Sequence, residues 1–293
     1  MAILAAVRYS SDKAYKNLFS HPEIVTQLLT SFVDLDWVKE ADYATLENVD
    51  RSFVTDEFKS RESDVIWKLK LQGKDVYVYL LIEFQSTVDR FMSLRMLRYI
   101  CELYQALLKQ DRDLKTLPAV FPVLIYSGPR QWRAPFDISA LIEQSVPGRF
   151  LPSFSYYPIL ENTRAEERLL EIRNTLAGIF LLENVTPEGL REATEKLVRL
   201  VKDERPELHR IIVNWIRNVF GPEAGGEDTV EEIGSLQEVH SMLAETMERA
   251  AKKWWEEGRQ EGEMAAVRET ARRMKALGLP VEIIVKSTGL SSE

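Results

Sequence analysis

The chain reads as an α/β protein, a mixed sheet flanked by helices, followed by a helical region and a helical C-terminal tail. Three observations predict it. Residues 61–86, RESDVIWKLKLQGKDVYVYLLIEFQS, alternate in side-chain character on both sides of a glycine, as two strands joined by a tight turn do. Residues 93–110 repeat apolar side chains at helical spacing, and LPAVFPVLIY, residues 117–126, is an apolar run of strand length. Helix, hairpin, helix and strand in that order belong to a mixed α/β sheet.

The hairpin carries the candidate chemistry. Glycine at the first turn position suits a type II′ turn at Gly73-Lys74, which sets Gln72 against Asp75 and Asp64 against Glu83. One face then holds Val65, Trp67, Leu69 and Leu71 with Val76, Val78, Leu80, Ile82 and Phe84, and is a core face. The other holds Asp64, Ile66, Lys68 and Lys70 with Tyr77, Tyr79, Leu81, Glu83 and Gln85. Directly opposed residues have Cβ atoms roughly 4.5–5.5 Å apart, close enough for two carboxylates to hold one divalent cation. Oxygen ligands suit Mg²⁺, with Mn²⁺ or Ca²⁺ as alternatives, rather than zinc. A solvated strand face that happens to carry two acids is the competing reading. Ile66, Tyr79 and Leu81 make this face too apolar for open solvent, and partly covered carboxylates need a metal or a raised pKa.

Composition sets bounds. At 293 residues with 45% hydrophobic content, the chain is long enough for one large domain or one domain plus a tail. Its single cysteine, Cys101, excludes a disulfide framework and an intrachain cysteine zinc site, and its three histidines lack metal-ligand spacing. MAILAAV lacks the basic lead-in of a secretory signal, and no apolar run approaches the ~20 residues that span a bilayer, so a cytoplasmic protein without a membrane partner is expected. The net charge of −8 argues against broad coating of nucleic acid. Residues 51–110, however, hold 10 Lys and Arg against 8 Asp and Glu, a weakly basic surround for local DNA contact.

Residues 11–33 read as two helical pieces broken near His21-Pro22. Asp12 and Lys16 lie one helical turn apart, by themselves an ordinary surface ion pair. A loop and a short strand are expected in 35–60, the strand around residues 52–58. In the 93–110 helix, Leu94, Leu97, Ile100, Cys101, Tyr104, Leu107 and Leu108 mark the apolar stripe. Arg95 and Tyr99, one turn apart, can reach a phosphate, or can be an exposed arginine on a ring. Pro122 puts the following strand at an edge or bulge. Helices are expected over 164–183, 187–202 and 206–219, a Gly- and acid-rich linker over 221–234, and a long tail helix over 236–277. Leu236, Val239, Leu243, Met247, Ala250 and Trp254 recur at a/d spacing, which predicts self-association, a homodimer being the simplest case.

Asp64, a hairpin and then Glu83-x-Gln85 resemble the PD-(D/E)XK nuclease core, with Gln85 where lysine is usual. The stretch IEFQSTVDRFMSLRMLRYI is similar to the Rpn family of recombination-promoting nucleases, often labelled transposases. That family has an LFSHP-like opening, a Glu-x-Gln-Ser strand ending here at Ser86, and a Met-x-x-Arg-x-x-x-Tyr helix, matched by Met92, Arg95 and Tyr99. The resemblance covers most of residues 9–135 and returns in the tail. It implies a restriction-endonuclease-like α/β core and a metal-dependent DNA endonuclease. It also matches Asp12 and Lys16 to an Asp-x-x-(Phe/Tyr)-Lys opening that faces the active site. The expected site is therefore Asp64 and Glu83 as metal ligands, with Gln85, Lys16 and Asp12 as catalytic partners. Lys68, Arg95, Tyr99 and Ser86 would contact substrate. The expected organisation is a nuclease core over 1–135, a helical extension over 136–220, a linker over 221–234 and an oligomerising tail over 235–293. Two alternatives stand beside it: a nuclease-derived binding or regulatory protein, favoured by Gln85 and the acidic charge, and a transposase.

Overall fold

The computed structural model describes residues 11–49, 64–83, 88–127, 130–161, 166–183, 189–202, 204–220 and parts of 252–289. Two helices, α1 (Ser11–Leu18) and α2 (Pro22–Phe32), open the fold, and Pro22 occupies the first helical turn, where its missing N–H costs nothing. After α3 (Asp36–Glu40) come β1 (Ala41–Asn48), β2 (Asp64–Leu71) and β3 (Lys74–Glu83). The long helix α4 (Met92–Gln110) leads into β4 (Ala119–Tyr126), and β5 (Tyr157–Leu160) completes a sheet of order β1-β2-β3-β4-β5. The β1–β2 and β2–β3 pairs are antiparallel, β3–β4 and β4–β5 parallel. Then follow α5 (Glu166–Ile172), α6 (Thr175–Glu183), α7 (Leu190–Val201), α8 (Pro206–Phe220) and, in the tail, α9 (Val281–Thr288). The mixed sheet flanked by helices is the expected α/β, PD-(D/E)XK-like class.

The hairpin forms with its faces as expected and its register corrected. Leu71 pairs with Lys74 and Asp64 with Leu81, so the loop is Gln72-Gly73 rather than Gly73-Lys74. Both loop residues have positive φ, 50° and 77°, which is type I′ geometry and matches the twist of the flanking strands. The ladder is offset by two residues from the expected one. Because side chains alternate with period two, an even offset leaves every residue on its expected face. It does move Asp64 away from a position opposite Glu83.

Both faces are buried. On one, Val65, Trp67, Leu69, Val78, Leu80 and Ile82 pack against α1, α2, α6, α7 and α8, and the Trp67 Nε1–H donates to the Phe19 carbonyl at 2.9 Å. On the other, Ile66, Tyr77, Tyr79 and Leu81 meet Met92, Met96, Tyr99, Ile100 and Leu103 of α4. The cover expected over the carboxylate-bearing face is thus α4. Its buried stripe differs from the expected one: Leu94 and Leu108 are 52% and 40% exposed and Cys101 faces outward.

Other elements depart from expectation for local reasons. The short strand expected around residues 52–58 lies outside the described residues, and β1 at 41–48 borders the hairpin. β5 joins β4 only from Val123, so at Pro122 β4 has a strand neighbour on one side, where a residue without N–H is tolerated. The helix expected over 164–183 is two, broken where Arg173 adopts φ 51° and the Asn174 side chain caps α6 by accepting from the Ala177 N–H at 2.8 Å. Among the described residues no helix is long and apolar enough to cross a membrane.

Candidate functional site

The three parallel strands β3, β4 and β5 end at one edge of the sheet, and the antiparallel β2 begins there. In open α/β sheets ligands bind outside the carboxyl ends of the strands. Glu83 ends β3 with Tyr126 as its ladder neighbour on β4, and Tyr126 in turn neighbours Leu160 on β5. Asp64, opposite Leu81, lies on the same face as Glu83 and one diagonal step from it. Diagonal neighbours are roughly 7–8 Å apart, a gap that an aspartate and a longer glutamate can bridge around one cation. The side chains of Asp64, Glu83 and Asp12, and all of Gln85 and Ser86, lie outside the described residues.

The remaining expected site residues divide. Arg95 stands in the first turns of α4, on the Glu83 side of the sheet. Its Nε–H donates to the Tyr99 hydroxyl at 2.7 Å, its guanidinium lies 5.7 Å from that ring, and Asp89 is 3.9 Å away. The Tyr99 ring stacks obliquely on Tyr79 of β3. Lys68 sits four residues along β2 from Asp64, on the order of 13 Å, and its Nζ pairs with Glu47 at 2.9 Å, which raises its pKa. Lys16 is exposed and belongs to α1, which packs on the opposite face of the sheet.

That opposite face holds polar groups that sequence reasoning missed. Ser127 follows β4, Glu161 follows β5, Glu183 ends α6 and Tyr15 comes from α1. The Tyr15 hydroxyl donates to Glu161 at 3.5 Å and the Ser127 hydroxyl to Glu183 at 3.4 Å. Glu161 is 1% exposed, and the Trp215 ring meets Tyr15 edge-on. Burial, then the negative charge of Glu161, pushes the Glu183 carboxyl well above the usual carboxylate range. Burial, then the two glutamates, raises the Tyr15 phenol. Two carboxyls that raise each other's pKa away from bulk water disfavour the state in which both are ionised. The signal was present in YPIL-E and TLAGIFLL-E, each an apolar run that ends in an acid.

Comparison with known proteins gives one family. The family model described as "Putative transposase, YhgA-like" matches residues 10–209. The recombination-promoting nuclease RpnA of Escherichia coli (strain K12) is 25% identical over 96% of this chain and 94% of its own. Recombination-promoting nuclease RpnD of Escherichia coli O157:H7 is 30% identical over 78% of this chain and 88% of its own. RpnE of strain K12, named an inactive recombination-promoting nuclease-like protein, is 28% identical over 48% of each chain. No solved structure matches.

Proposed function

Because the chain belongs to the YhgA-like putative transposase family, with Rpn nucleases among its relatives, we propose that it is a metal-dependent endonuclease hydrolysing phosphodiester bonds in DNA. The observation that carries the reading is the strand register. It gives Asp64 and Glu83 one face, a diagonal step apart, at the end of the sheet where β3, β4 and β5 finish. An all-oxygen donor pair fits Mg²⁺ or Mn²⁺. Mg²⁺ held there would polarise the scissile phosphate and acidify an attacking water.

The chain's own residues supply the rest. Asp64 and Glu83 fix the cation against the sheet, and α4 excludes solvent from the strands beneath them. Gln85, two residues past Glu83, orients the water by hydrogen bonding but cannot take its proton. Arg95, braced by Tyr99 and Asp89, presents a fixed guanidinium to a phosphate, and Ser86 can donate to the same backbone. Lys16 stands on α1, across the sheet from the Asp64–Glu83 face, so the place of the missing lysine falls to Gln85. A second reading, a nuclease-derived regulatory protein, is favoured by Gln85 and by a relative that is named inactive.

Incubation of supercoiled plasmid with the full chain, in Mg²⁺ and in EDTA, separates the two. Nicking or linearisation in Mg²⁺ that EDTA abolishes is the expected result. Intact plasmid in Mg²⁺ and in Mn²⁺ alike would leave the regulatory reading.

A further inference from the structure

The segment after β4 crosses the α4 side of the sheet next to Glu83. Trp132 is buried there, its ring 4.8 Å from the Tyr126 ring, and Tyr126 is the ladder neighbour of Glu83. The Trp132 Nε1–H donates to the Tyr156 hydroxyl at 3.2 Å, and that hydroxyl donates to the Pro135 carbonyl at 3.3 Å. Ala134 is buried in the same cluster. Arg133, between two buried neighbours, is therefore exposed on a fixed stretch of backbone, and it makes no ion pair among the described residues. The Tyr156 hydroxyl is pushed up to about 12, mainly by burial, and the Asp89 carboxylate adds to the shift.

Trp132 thus ties this segment to Tyr126, the ladder neighbour of Glu83, and Arg133 follows Trp132 directly in the chain. We infer that Arg133 is a second phosphate-binding residue of the candidate nuclease site, gripping the DNA backbone on the β4 side while Arg95 grips it on the α4 side. The inference rests on the nuclease reading and names two contact points for its substrate. An arginine held by its backbone neighbours loses little freedom on binding, and its planar fork suits a phosphate. Neither neighbour's burial has a structural need for a cation between them, so the charge is available to a ligand.

The test is DNA binding without cleavage. Full-length protein is titrated into a short fluorescein-labelled duplex in EDTA at several KCl concentrations. Removing one phosphate contact lowers the slope of log affinity against log salt by about 1. Arg133→Ala should show that loss, so that over a fourfold rise in salt its affinity falls about 3.5-fold less than the parent's. Arg133→Lys should keep the parent slope, which separates lost charge from altered structure. Arg199→Ala, on α7, should bind like the parent. A parent slope in Arg133→Ala overturns the inference while leaving the metal site to the plasmid assay. A parent that cleaves plasmid yet does not bind the duplex in EDTA overturns it too. A parent that neither cleaves nor binds overturns both.

Discussion

Glu183 is the residue whose behaviour follows most directly from its surroundings. Its folded pKa lies above the roughly 4.3 of an unfolded glutamate, chiefly through burial and then through Glu161. The stabilisation this proton gives is complete below about pH 4.3 and is lost as pH rises towards the folded value. Glu183→Gln keeps a polar side chain for Ser127 and removes the titration. Its melting temperature should match the parent's in mild acid and exceed it increasingly as pH rises, while a pH-independent difference would refute the raised Glu183 carboxyl. This pair was not legible in the sequence, because Glu161 and Glu183 meet only through the β5–β4 alignment and the packing of α6. Asp64 and Glu83 were legible, since alternation alone assigns their face. Their rung was not, because Gln72 accepting a positive φ moves the turn by one residue, a choice no propensity indicates.

At the scale of elements, the helical layer on the α1 face is set by one close approach. A Cβ built on Gly178 of α6 would overlap Leu197 Cδ1 of α7, and Leu197 is fully buried. Gly178→Ala would gain about 1 kcal/mol of helix propensity and lose about 1–3 kcal/mol to overpacking. The expected net effect is a lower midpoint in urea with an unchanged slope, and a midpoint above the parent's would mean that Leu197 has room to turn away. The existence of α4 is legible in the sequence, but its inner stripe is turned: Ile100 is buried as expected, whereas Leu94, Cys101 and Leu108 face outward. Two apolar sets, Leu94–Cys101–Leu108 and Met92–Met96–Tyr99–Leu103, both keep helical spacing, and only the sheet decides which is buried. β1 escaped notice because Ala41–Asn48 alternates weakly, and its pairing with β2 shifts register between Asp42 and Glu47. β5 escaped because four residues are too few for a periodic signal.

For the whole molecule, the α/β class was readable because hydrophobic period, strand length and element order agree with one another. The tail is a separate matter: its a/d run from Leu236 to Trp254 predicts self-association. A chain ending at Gly221 should then sediment as a monomer where the full chain is a dimer, and equal subunit numbers would remove the tail from the account. In the proposed function Asp64 and Glu83 act as one unit around a single cation. Residues of one unit are not additive, so losing either should cost as much as losing both. The measurement is single-turnover plasmid cleavage in saturating Mg²⁺ by the parent, Asp64→Asn, Glu83→Gln and the double variant. Each single variant should fall by about 10²–10³-fold, the scale of removing a main electrostatic contributor, with the double variant no slower. Parent-like cleavage by either single variant, or a double variant slower by the product of the two losses, would contradict a shared site.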